Sequence, residues 1–177
     1  YSGLIFVKSA ALYPDLFTKL VLDGCWFSLR DAVETLAKDP GMIPHPQRHS
    51  KWEKNWLIRQ RWFQRGIIWF GQKLFNLEFN TVSVLDYAPR LKETMPILFI
   101  HGKNDAMVPR TQFETLFRAT NCRQKTALIT NNEHVWNHLK EKELYKEVIE
   151  TFINLSYEQF NHLMVTPEAL IDYKTAR

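Results

Sequence analysis

The chain has 177 residues, 45% hydrophobic and 14% aromatic, which is enough apolar mass to bury one sizeable core and too much for a disordered chain. Its net charge of +4 is local: residues 41–75 carry seven Lys or Arg against the single acid Glu53, a surplus of +6, while the remainder comes to −2. The basic character therefore belongs to one segment, and with no matching motif beside it nucleic-acid binding is not expected.

Arg, Lys, Gln or Asn interrupts every apolar stretch before about eighteen residues have passed, which argues against a helical membrane span. The first residues are Tyr1-Ser2-Gly3 rather than Met, so no targeting signal can be read and localisation stays open. Cys25 and Cys122 have no short-spaced partner; they suggest neither a disulfide framework nor a zinc site, and as packing residues they fit a reducing compartment such as the cytoplasm.

In chain order, residues 3–12 are apolar with small residues, and Tyr13-Pro14-Asp15 follows, which predicts a buried helix ended by proline. Lys19-Leu20-Val21-Leu22-Asp23-Gly24 predicts a short buried parallel strand. Residues 28–39 predict a helix with Ser28 as N-cap, broken at Asp39-Pro40-Gly41. Over residues 50–75, Trp52, Trp56, Phe63, Ile67, Phe70 and Leu74 recur at intervals of three or four with Arg, Lys and Gln between them, which predicts one or two helices with a wide aromatic face.

Met95-Pro96-Ile97-Leu98-Phe99-Ile100-His101-Gly102 is the clearest strand. A helix over 111–120, a strand over 125–130 and an amphipathic helix over 141–155, with Leu144, Val148, Ile149 and Phe152 on one face, complete the series. Residues 157–177 are read as a helix with a loose end. Strand, helix, strand, helix at these spacings gives an α/β fold, a parallel sheet with helices on its faces.

In such a sheet the polar residues just past the strand ends are the candidate site. After Ile100 these are His101, Lys103, Asn104 and Asp105; after Thr130 they are Asn131, Asn132, Glu133 and His134. A carboxylate on one loop and an imidazole on the next can meet: the acid fixes the tautomer of the ring and leaves its other nitrogen as a general base.

Ile97-Leu98-Phe99-Ile100-His101-Gly102-Lys103-Asn104-Asp105-Ala106-Met107-Val108-Pro109 resembles the acid-bearing turn of the α/β-hydrolase superfamily, and His134, before the last helix, stands where that family has its catalytic histidine. Tyr13-Pro14-Asp15-Leu16-Phe17 and the strand after it resemble the family's helix behind the nucleophile elbow and its next strand. The resemblance covers residues 1–39 and 80–155 and implies the C-terminal half of the fold, with residues 41–80 as a helical cap inserted between core segments 1–40 and 81–156, and a helical tail over 157–177. It implies a serine hydrolase acting on an ester, thioester or amide, with carboxylesterase-like and prolyl-oligopeptidase-like members equally matched, and implies no cofactor or metal.

One departure matters. No Gly-x-Ser-x-Gly is present, and counting back along the family's helix puts the serine about one position before Tyr1. On that register the Tyr1 N–H is one oxyanion-hole donor. The expected partners are a small-molecule or peptide substrate and the missing N-terminal half of the fold, as a second chain or a preceding segment, without which this half is expected to be inactive.

The alternatives are Ser2 as the nucleophile, on a helix two residues shorter than the family's, and His138 as the base, since it would share a helical face with His134. His101 is read as a packing residue or a brace for the turn, and Lys8, Ser9 and Cys25 as structural residues. For residues 41–75 the plain reading is a cap whose aromatic face packs on the sheet edge; the functional one has the aromatics lining an apolar substrate site while Arg59, Arg61 and Arg65 meet an anionic group or a membrane surface. At the level of function, the alternative to an enzyme is a binding or regulatory module on the same fold, without a working nucleophile.

Overall fold

A computed structural model describes residues 2–38, 60–75, 83–156, 159 and 169–172. Its centre is a four-stranded parallel sheet in the order β1 (Leu20–Asp23), β2 (Ile97–Gly102), β3 (Lys125–Thr130), β4 (Ala169–Asp172). Every residue of β2 and β3 is buried, as a parallel strand covered on both faces requires. Alternation then divides the core. Ile97, Phe99, Ala127 and Ile129 face a cluster with Leu4 and Val7 of α1 (Ser2–Leu12), Val84 of α4 (Val84–Tyr87), and Phe113, Leu116 and Phe117 of α5 (Arg110–Ala119). Leu98, Ile100 and Leu128 face the other way, onto Phe152 of α7 (Lys142–Asn154).

The strands predicted at 19–24, 95–102 and 125–130 and the helices predicted at 3–12, 28–39, 111–120 and 141–155 form within two residues of their expected bounds. Tyr13-Pro14 ends α1 through a 3-10 turn at Pro14–Leu16. Ser28 caps α2 (Leu29–Lys38), its hydroxyl accepting from the Asp31 N–H at 3.1 Å. Two lysines that look out of place in apolar strands close helix ends instead. Lys19 Nζ donates to the carbonyls of Phe152 (2.9 Å), Ile153 (2.6 Å) and Leu155 at the end of α7, and buried Lys125 Nζ donates to those of Phe117 (2.8 Å) and Thr120 (3.1 Å) at the end of α5. A cation there meets carbonyls that no intrahelical N–H reaches.

Two expectations are corrected. Residues 169–172 lie in the predicted helical tail, yet they form β4, parallel to β3 with Thr126 opposite Ala169 and Ile129 opposite Asp172. An open β3 edge offers a ladder of unpaired backbone groups, and Ala169-Leu170-Ile171-Asp172 is a short apolar run that can satisfy them.

The second correction concerns α3 (Arg61–Phe75). Ile68 is buried, whereas Ile67, Phe70 and Leu74, expected to pack, are 50%, 56% and 60% exposed. Helical periodicity identified an apolar face but not the direction in which it points. Trp52, Trp56 and Arg59 of that segment lie outside the described residues. Neither α3 nor any other described helix is long and apolar enough to cross a membrane.

Candidate active site

The C-terminal ends of β1, β2 and β3 lie side by side, with Asp23, Ile100 and Leu128 in register. Just beyond β2, Asp105 closes a tight turn, its N–H donating to the Gly102 carbonyl at 3.1 Å. Its carboxylate is buried and fully engaged: Oδ1 accepts from the N–H groups of Met107 (2.9 Å) and Val108 (2.8 Å), and Oδ2 lies 2.8 Å from His134 Nδ1. Val108 and Met107 are themselves buried in a cluster with Trp26 and Ala32. The Met-Val that follows the acid thus anchors the turn through both backbone and side chains.

The loop after β3 brings the histidine. It is stitched to the acid turn by the Lys103 N–H on the Thr130 carbonyl (2.8 Å), the Asn104 N–H on the Asn132 carbonyl (3.1 Å), and the Asn104 side chain on the Asn131 carbonyl (2.5 Å). Gly102 makes this approach possible, since a Cβ there would stand 2.1 Å from the Asn132 carbonyl oxygen.

The imidazole of His134, 12% exposed as a side chain, is held edge to face by Trp26 at 5.6 Å. On its other flank is Gly24, in the left-handed region at φ +56, where a Cβ would lie 2.8 Å from the ring's Cε1; only glycine combines that backbone with that proximity. With a carboxylate as partner, Nδ1 carries the proton. Nε2 is then the basic nitrogen, and it has no hydrogen-bond partner among the described residues.

Other residues singled out in the sequence fall elsewhere. His138 is exposed on α6 (Asn137–Lys140) and meets Tyr145, ring centroids 6.2 Å apart, rather than Asp105. The turn at Glu133–Trp136 interrupts the helix that would have aligned it with His134. Burial pushes the Cys25 thiol up to about 12, which makes it a packing group and no nucleophile. Tyr1 lies outside the described residues. Among those residues no cluster of His, Cys, Asp or Glu could hold a metal ion.

His101, expected to pack or to brace the turn, is 1% exposed and stacks on Phe113 at 4.7 Å. Its Nε2 has no hydrogen-bond partner among the described residues. Burial pushes the imidazole below its ordinary 6.5, with Arg110 and His134 acting in the same direction and Asp105 opposing them. The folded state therefore resists protonation where the unfolded chain accepts it. Stability falls as pH drops below about 6.5 and continues to fall until the lower folded value is reached. We expect urea midpoints to decline over that window and the decline to flatten in His101→Phe, which keeps the stack without the titration; an unchanged slope would remove His101 as its source.

No family model and no curated protein matches this sequence. Solved structures do. An esterase of Pyrococcus furiosus superposes with a TM-score of 0.58 at 16% identity, over 85% of this chain and 49% of its own. The chain has the α/β-hydrolase fold.

An α/β-hydrolase enzyme from a Medee basin deep-sea metagenome library (TM-score 0.55, 17% identity) and an esterase of Exiguobacterium antarcticum (0.54, 18%) share it over 87% and 86% of this chain. This chain spans 62% and 63% of those two proteins and about half of the Pyrococcus esterase. Within the hydrolase fold, the strand ends that carry Asp105 and His134 are the usual position for chemistry in an open parallel sheet. Identity this low carries the architecture, and the roles of the residues rest on their geometry.

Proposed function

We propose that this chain is the acid- and histidine-bearing half of a serine hydrolase that cleaves an ester, thioester or amide. The supporting observation is the 2.8 Å contact between a buried carboxylate and His134 Nδ1, with Nε2 left unengaged. In the reaction, Nε2 takes the proton of a serine hydroxyl as its oxygen attacks the substrate carbonyl, and Asp105 stabilises the imidazolium that forms. The same nitrogen returns the proton to the leaving group, and water repeats the cycle on the acyl-enzyme. In this reading the serine lies about one position before Tyr1, and the Tyr1 N–H helps to hold the oxyanion.

The remaining strands of the sheet are proposed to join at β1, as another chain or a preceding segment. Two observations support this: among the described residues β1 has one hydrogen-bonded neighbour, and α1 beside it leaves Ile5, Phe6 and Leu12 about half exposed, a surface that isolated domains seldom display. The test is hydrolysis of short acyl esters by the protein with the sequence that precedes Tyr1 in its gene, and the loss of that activity in His134→Ala. Hydrolysis that survives the substitution contradicts the assignment. Folded protein with no hydrolysis at all favours a binding module on the same fold.

A further inference from the structure

Three residues after His134, Asn137 is 1% exposed, a burial that an amide tolerates only when its hydrogen bonds are made. They are. Its Oδ1 accepts from the hydroxyl of Thr130, the last residue of β3, and from Asn132 Nδ2 at 3.2 Å; its Nδ2 donates to Oδ1 of Asp23, the last residue of β1, at 3.4 Å. One side chain thus ties the ends of both strands that flank β2 to the start of α6.

Asn132 and Asn137 also bracket the histidine, so their mutual bond closes the loop that carries it. Inside that loop, Val135 sits at φ 49, a left-handed conformation that strains a β-branched residue. Such strain persists only where the surroundings over-determine the backbone, and the bond across the loop supplies that constraint immediately beside the imidazole.

We propose that Asn137 is a positioning residue for the hydrolytic reaction: by tying the ends of β1 and β3 to the histidine loop, it clamps that loop so that His134 stays at Asp105. This rests on the hydrolase reading above. Burial pushes the Asp23 carboxyl above its ordinary value, and the hydrogen bonds from Tyr145 and Asn137 act against that. Tyr145, pushed up to about 12 by burial with Asp23 adding to the effect, stays a neutral donor to Asp23. Glu141, a neighbour of the network, accepts from Asn132 Nδ2 at 3.0 Å.

The experiment uses the protein with its preceding sequence and follows the steady-state kinetics of ester hydrolysis. Asn137→Leu, similar in size and unable to hydrogen bond, should lower kcat on the order of 10²-fold, the cost of a misplaced catalytic group, with KM nearly unchanged. Thr130→Val keeps the shape and removes the hydroxyl that donates to Asn137 Oδ1, so kcat should fall in the same way with KM again nearly unchanged. A residue that only supports the fold would lower the melting temperature without that split between kcat and KM. Should Asn137→Leu fail to fold, Thr130→Val decides alone. A folded Asn137→Leu with the parent kcat, or a Thr130→Val with the parent kcat, overturns the proposal. If His134→Ala is inactive while either of these results holds, the positioning role falls and the hydrolase reading stands.

Discussion

Replacing His134 by alanine should lower kcat for acyl ester hydrolysis by on the order of 10⁴–10⁶-fold, the loss typical of removing the base from such a triad. In the proposed reaction the imidazole takes the serine proton, and among the described residues neither other nearby histidine is placed to replace it: His101 is buried in its stack with Phe113, and His138 meets Tyr145. KM should change little, since the ring acts on the proton in flight rather than on bound substrate. The melting temperature should fall by only a few degrees, because the side chain lies at the surface end of the sheet and loses one edge contact with Trp26 and one hydrogen bond. Steady-state kinetics with a calorimetric scan check both halves of the expectation. Residual activity within tenfold of the parent would show that another group carries the proton.

Gly102→Ala should cost on the order of 3–5 kcal/mol of stability and remove activity as well. The new Cβ would stand 2.1 Å from the Asn132 oxygen, 2.8 Å from its carbonyl carbon and 3.0 Å from the Glu133 oxygen. All three are backbone atoms, so no side chain can swing aside; β2 and the histidine loop must separate. That movement strains the Lys103–Thr130 and Asn104–Asn132 hydrogen bonds and pulls His134 from Asp105. Gly66→Ala on α3 is the control: a Cβ there meets nothing within 4 Å, and the change should stabilise by about 0.5–1 kcal/mol through helix propensity. Urea melts of the two variants should therefore shift in opposite directions. A Gly102→Ala protein as stable as the parent would mean that the two loops do not pack this closely.

Much of the sheet was legible because parallel strands buried on both faces leave continuous apolar runs, and β2 and β3 are such runs ended by Gly102 and Thr130. Asp105 and His134 could be located because position past a strand end is itself information: the fold brings neighbouring tips together whatever lies between. The partners of that pair were not legible. Trp26 and Gly24 touch the imidazole from the end of β1, more than a hundred residues earlier, and Asn137 reaches Asp23 across the same gap. Their contacts are set by three-dimensional packing, and a lone Asn or Trp carries no periodicity that would announce them. The aromatic pattern of α3 showed amphipathicity without a direction. The short run that becomes β4 competes as helix or strand until the open edge of β3 decides it.

A fluorophosphonate probe tests most directly whether His134 and Asp105 activate a serine. Incubated with the protein and the sequence preceding Tyr1, it should label one serine, about one position before Tyr1, and the rate of labelling should collapse in His134→Ala. Labelling at a serine elsewhere in the chain, or at the same rate in the absence of His134, would contradict the account.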